Sequence, residues 1–444
     1  MYSKPLDKMM KKKKVEAGDD VRVTKEKNSY TGTVMPKSES SDANILLIKL
    51  ENGYNIGLDY NSKTRIEKLG TKSRLEKFPT HAFSFDPKKP TIMILHTGGT
   101  IASRVDYKTG GVSPAFTPEE FIAMFPELTK IANIKSRMIM NIASEDMDQT
   151  RYGHVAREAE RDIKLGLDGI IIGHGTDTLH YSAAMLSYML QNLPVPVVLV
   201  GAQRSSDRGS SDAALNLAAA VNFITKTDYA GVAVCMHENP SDDSCLVLPA
   251  AKLRKMHTSR RDAFRAVNAS AIARVESSGK VEMIAENYLK KDKKRNAAVN
   301  VNIEPKVAIV KMYPLAEPAI LDFYLKSGYR GIIIEGTGFG HVPTSPEDPK
   351  KSWLPAIKSA VKAGMTVVIT SQTVHGATNK HVYRNLRLLE ATGVIFGEDM
   401  TTEAAYTKLC FVLGNNKEPE KIREAMLSNI AGEISNRREL RQFP

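Results

Sequence analysis

Cysteine is scarce in this chain of 444 residues, with only Cys235, Cys245 and Cys410. They lie far apart and share no metal-ligand or redox spacing, which argues against a disulfide framework and for small buried apolar residues. Long apolar runs are lacking too. No stretch approaches the roughly eighteen uninterrupted apolar residues of a membrane span, and the opening MYSKPLDKMMKKKKVEAGDD has no apolar segment after its lysines. These absences point to the cytosol. Aromatics are 7% of the chain, with a single tryptophan, Trp353, expected to pack a helix. Acidic residues are outnumbered, giving a formal net charge of +12. That excess favours a polyanion such as RNA through counterion release, although lysine-rich surfaces also serve solubility. The run Lys11 to Lys14 reads as part of a solvated, disordered basic tail over 1–17.

Residues 18–75 read as a small all-β barrel. DVRVTKE and YTGTVMP alternate like short strands, and NILLIKLENGYNIGLD is two strands joined at Asn52-Gly53, a pair suited to a tight hairpin. A Lys-rich linker, 76–90, carries Pro79, Pro87 and Pro90. From Thr91 the pattern becomes strands alternating with helices, which predicts a parallel sheet covered on both faces over 91–285. In TLHYSAAMLSYMLQNLP, Leu179, Ala183, Leu186, Leu190 and Leu193 recur at helical spacing until Pro194 and Pro196 stop the helix. FTPEEFIAMF offers Thr117 as an N-cap. A polar linker, 286–305, precedes a second, smaller α/β domain over 306–444.

Two segments share a design: ILHTGGTIAS and GIIIGHGTDTL each run a buried strand into a glycine turn and a threonine. TGGTIASRVDYKTGG fits neither a phosphate-binding loop, with its lysine at a fixed place after the glycines, nor a dinucleotide fold, with three spaced glycines and a helix. In open parallel sheets ligands sit beyond the carboxyl ends of the strands, so Thr100 and the Thr176-Asp177 pair are expected to converge there. A threonine hydroxyl needs a neighbouring base or strong field to act as a nucleophile. Tyr107 is one candidate, and Asp177 with a lysine is another. The plainer reading is a pair of ordinary Gly-Thr turns. His96, His174 and His180 lack metal-ligand spacing. Arg204 and Lys252 are candidates to face RNA or a partner.

In this order, TGGTIAS, NIASEDMD, HGTDTLHYSA and VGAQRSSDRGSSDAALNL resemble the bacterial-type L-asparaginase family of threonine amidohydrolases. The resemblance implies two α/β domains and active sites at an intimate dimer contact. It implies Thr100 as nucleophile, with Thr176, Asp177 and Lys255 as a second catalytic group. Lys255 is placed by its nine-residue distance from Phe264 in KMHTSRRDAF. Tyr107 matches the loop tyrosine that assists the nucleophile. Ser144 and Glu145 match the contacts to the substrate's carboxylate and amino group; many members carry Gln at the second position, so asparagine and glutamine both stay open. The loop GTGFGHV either approaches the neighbouring protomer's site or is a plain turn. An aspartate beside a lysine favours the ammonium, whereas a general base must be neutral. The base is therefore Lys255 if burial dominates, and otherwise Tyr107 or a water.

Free asparaginases lack the N-terminal β unit. With it, the chain resembles the D-subunit family of archaeal glutamyl-tRNA(Gln) amidotransferases. That resemblance implies release of ammonia from glutamine or asparagine, no cofactor in this chain, and a partner, the amidotransferase's E-subunit, that binds Glu-tRNA(Gln). ATP and magnesium are expected at that partner, and a homodimer within a heterotetramer. The alternatives are a free cytosolic asparaginase with an appended domain and a non-catalytic RNA-binding scaffold.

Overall fold

The computed structural model describes residues 2–35, 42–50, 54–71, 85–98, 103–105, 112–114, 125–204 and 210–437. Thr100, Tyr107, Thr117 and the Asn52-Gly53 turn lie outside the described residues, as does most of the 76–90 linker.

The N-terminal unit is a five-stranded antiparallel sheet. Its order is Asn55–Asp59, Ile45–Leu50, Asn28–Val34, Asp19–Lys25 and Arg65–Thr71. Alternation drives it: Val21 and Val23 point inward from one strand and Leu46 and Ile48 from another, forming one core. The basic tail is a helix here, Lys4–Lys13. Leu6 and Met10, one turn apart, are buried in the sheet's core together with Val15. Burial of that apolar pair outweighs the repulsion among the lysines on which the expectation of disorder rested.

The first α/β domain carries an eight-stranded sheet. Five strands run parallel, in the order Asn133–Ile142, Thr91–Gly98, Gly169–Gly173, Pro196–Val200 and Gly231–His237. Three antiparallel strands then extend it, Ser244–Pro249, Ala273–Glu276 and Val281–Met283, so the sheet is mixed where the sequence suggested a parallel one. Short links join His237 to Ser244 and Glu276 to Val281 as hairpins, and the longer segment between Pro249 and Ala273 carries the Leu253–Lys255 and Phe264–Ala266 hairpin. Parallel strands instead need crossovers. The helix Leu179–Met189 is buried on nearly every side. It stops at Met189, before the prolines, because Leu190–Gln191 turns away to pair with Ala298–Val299 of the expected linker.

The second α/β domain has four parallel strands, in the order Val307–Lys311, Gly331–Gly336, Thr366–Ser371 and Ile395–Phe396. Its helix Thr402–Asn415 packs against Leu179–Met189, and the two domains share one continuous core containing Leu186, Met189, Leu409 and Val412. Trp353 is fully buried and donates from Nε1 to the Ala316 carbonyl at 3.2 Å. All three cysteines are buried and free. Lys252 faces neither RNA nor partner. It is 1% exposed and bonded to the Asp399 carboxylate and, at 2.9 Å, to Ser435 Oγ. No helix among the described residues is long and apolar enough to cross a membrane.

Candidate active site

Adjacent strand ends come unusually close because glycine lines the approach. A Cβ on Gly175 would lie 2.8 Å from Ser144 Cβ, and one on Gly201 would lie 2.8 Å from Thr176 Cγ2. Gly98 has φ +110, and a Cβ there would meet the Ile142 carbonyl oxygen at 2.4 Å. These contacts draw the ends of three neighbouring strands around the turn His174 to Thr178.

Within that turn Lys255 joins two of the expected residues. Its Nζ donates to Thr176 Oγ1 at 2.9 Å and to Asp177 Oδ1 at 2.6 Å. The Lys255 side chain is 9% exposed and that of Asp177 70%. Solvent therefore screens the carboxylate, and the ion pair is chiefly a positioning contact. Lys255 arrives from the hairpin Leu253–Lys255 and Phe264–Ala266, in which it stands directly opposite Phe264. Its nine-residue distance from Phe264 is the separation of the pair that closes the hairpin's loop.

Ser144 is buried at the start of a short 3-10 turn, Ser144–Asp146, that follows the Asn133–Ile142 strand. Thr178 Oγ1 donates to the Ser144 carbonyl at 2.5 Å, and the Thr178 N–H lies 3.4 Å from Ser144 Oγ. Glu145 is exposed and lines an open cavity of about 390 Å³ with Ser144, Tyr152, Thr178, Tyr181 and Tyr406. Burial pushes the Tyr152 and Tyr181 phenols up to about 12, so neither is a phenolate base at neutral pH. Thr176, Asp177, Lys255, Ser144 and Glu145 thus fall in one region.

The sequence reading did not assign Gln203 or Asp212. Thr176 Oγ1 donates to Gln203 Oε1 at 3.4 Å. The fully buried Asp212 fixes the loop behind it, accepting from the N–H groups of Gln203 and Arg204 at 3.0 Å each and from Asn216 Nδ2 at 3.2 Å. Both residues sit inside the quoted VGAQRSSDRGSSDAALNL. The signal was the isolated aspartate opening an apolar helix.

His174 and His180 flank the turn. Burial lowers the pKa of His174, and it lowers that of His180 to about 4, helped by Arg254 and Lys255. Both imidazoles are neutral at physiological pH. No group of three or more possible metal ligands occurs among the described residues. The GTGFGHV loop is a tight turn closed by a Thr337–His341 bridge.

A family model described as the asparaginase N-terminal domain matches residues 91–288, and the glutaminase/asparaginase C-terminal domain model matches 306–426. Residues 15–69 match the GatD N-terminal domain. A relative from Pyrococcus furiosus, named as the D-subunit of glutamyl-tRNA(Gln) amidotransferase, is 46% identical over 97% of both chains. The chain belongs to the D-subunit family of glutamyl-tRNA(Gln) amidotransferases. A member from Methanothermobacter thermautotrophicus is 44% identical over 100% of this chain and 99% of its own. Among solved structures, the thermostable L-asparaginase of Thermococcus kodakarensis aligns with a TM-score of 0.69 at 29% identity. It covers 78% of this chain and 100% of its own. The D-subunit fold is therefore an asparaginase-type amidohydrolase unit carrying an additional N-terminal β domain.

Proposed function

We propose that the chain releases ammonia from glutamine or asparagine for a tRNA-dependent amidotransferase in the cytoplasm. The observation carrying this reading is the Thr176, Asp177 and Lys255 group at the strand ends, beside buried Ser144. In the reaction, Thr100 Oγ attacks the side-chain amide carbon. The carbon–nitrogen bond breaks, the nitrogen gains a proton and leaves as ammonia, and water hydrolyses the threonine ester. Held between Thr176 Oγ1 and the Asp177 carboxylate, Lys255 orients Thr176 and offsets negative charge as the oxyanion develops. Proton removal from Thr100 then falls to Tyr107 or a water. Ser144 and Glu145 hold the substrate's carboxylate and amino group. The partner E-subunit binds Glu-tRNA(Gln), activates its glutamyl group with ATP and magnesium, and receives the ammonia. Two copies of this chain form the dimer at the centre of a heterotetramer.

Full-length relatives sharing the N-terminal β domain favour this reading over a free asparaginase. Ammonia release from glutamine and asparagine by the isolated chain, then with the E-subunit and glutamylated tRNA(Gln), tests it. Slow release alone and strong stimulation in the complex is the expected result. Fast asparagine hydrolysis by the chain alone, unchanged by the additions, would mean a free asparaginase.

A further inference from the structure

The Lys4–Lys13 helix carries a charge pattern that ammonia release does not use. Leu6 and Met10 anchor one side in the β domain's core. At about 100° per residue, Lys4, Lys8, Lys11 and Lys12 fall within an arc of roughly 100° on the opposite side, and all four are exposed. The helix lies against the strand Arg65–Thr71, whose Lys68 donates to the Lys14 carbonyl at 3.0 Å and pairs with Asp19 at 2.7 Å. Lys11 pairs with Asp7 at 2.8 Å. Lys4, Lys8 and Lys12 form no ion pair among the described residues.

This stripe is not there to build the helix. Lys11, Lys12 and Lys13 in the last turn complement the helix dipole, but Lys4 occupies the first turn, where a cation is unfavourable. Lys4 with Lys8, and Lys8 with Lys12, are like-charged neighbours four residues apart, an arrangement that weakens a helix. Burial of Leu6 and Met10 holds the lysines in register against that repulsion.

We propose that the lysine stripe is a docking surface for the phosphate backbone of structured RNA, the tRNA substrate in the tRNA-dependent reading on which this inference rests. Lysines one turn apart, about 5.4 Å, each displace counterions from a phosphate row. Such contacts position an RNA without reading its sequence. A membrane surface fits less well, because the helix's apolar side is already buried and has nothing to insert. An acidic protein also fits less well: lysine is depleted in protein interfaces, and the arc holds no aromatic anchor.

The test uses the full-length chain, a labelled tRNA(Gln) transcript and anisotropy titrations at several salt concentrations. Replacing Lys4→Gln, Lys8→Gln and Lys12→Gln together is expected to weaken binding. The plot of log affinity against log salt should become shallower by about two, at roughly 0.7–0.9 per lost phosphate contact. Arginine at the same three positions should retain the wild-type slope. Coincident slopes for wild type and the glutamine variant, or no tRNA binding by the wild type, would overturn the proposal. So would stripe-dependent capture of phosphatidylserine vesicles in preference to tRNA. Ammonia release by the same proteins assembled with the E-subunit and glutamylated tRNA(Gln) separates the two readings. Failure of the amidohydrolase reading abolishes release in the wild type as well, whereas failure of the stripe leaves release intact and RNA binding unchanged.

Discussion

His180 illustrates how single residues set the charge around Thr176. Its imidazole is held at a pKa of about 4, as is that of His96, both chiefly by burial. The unfolded values lie near 6.5, so between pH 6.5 and 4 the unfolded chain binds protons that the folded chain refuses. The stabilisation is full above 6.5 and is lost as pH falls through this window, by up to about 1.4 kcal/mol per pH unit for each histidine. Urea unfolding at pH 7, 6 and 5 should show this decline, with a shallower slope for His180→Asn; identical slopes would contradict the assignment. Thr176 and Asp177 were legible because they follow an apolar strand run across a glycine turn, whereas Ser144 was reached through the resemblance carried by NIASEDMD. Gln203 and Asp212 were passed over: the one signal was an isolated aspartate opening an apolar helix, and the backbone N–H groups it accepts from are not written in residue type. The parts assigned to Thr100 and Tyr107 rest on the motif, since both lie outside the described residues.

At the level of elements, the site depends on strand ends approaching more closely than a side chain permits. Gly201→Ala would press on Thr176 Cγ2 and, at 3.1 Å, on Leu179 Cδ1. It should cost about 1–3 kcal/mol of stability through overpacking and lower kcat by displacing Thr176. Gly175→Ala would press on Ser144 instead and should act mainly on KM. Thermal melts and steady-state ammonia kinetics on both variants check this, and wild-type kcat and KM in both would refute it. The strands of both α/β domains were readable from β-branched runs such as GIIIG and TVVIT. The antiparallel extension Ser244–Pro249 to Val281–Met283 was not, because alternation within a strand does not state the direction of its neighbour. The N-terminal helix was missed for another reason: four consecutive lysines masked the Leu6 and Met10 pair that buries it.

At the scale of the whole molecule, buried ion pairs tie distant segments together. Lys252 and Asp399, in different α/β domains, are 1% and 4% exposed, and the Asp399 carbonyl also accepts from Asn268 Nδ2 at 3.0 Å. Lys252→Met would strand a buried carboxylate and should destabilise the protein by about 3–5 kcal/mol, read as a lower urea midpoint; a midpoint within error of wild type would contradict that role. This contact was unreadable in the sequence because 147 residues separate the partners. Lys252 also stands three positions before Lys255, so the same segment that joins the domains presents the lysine to Thr176. The most direct test is the rate of ammonia release from glutamine by the complete amidotransferase complex carrying Lys255→Met. A fall of about a hundredfold or more, with assembly and tRNA binding retained, is the predicted result. A rate within twofold of wild type would contradict the assignment of the Thr176, Asp177 and Lys255 group to catalysis.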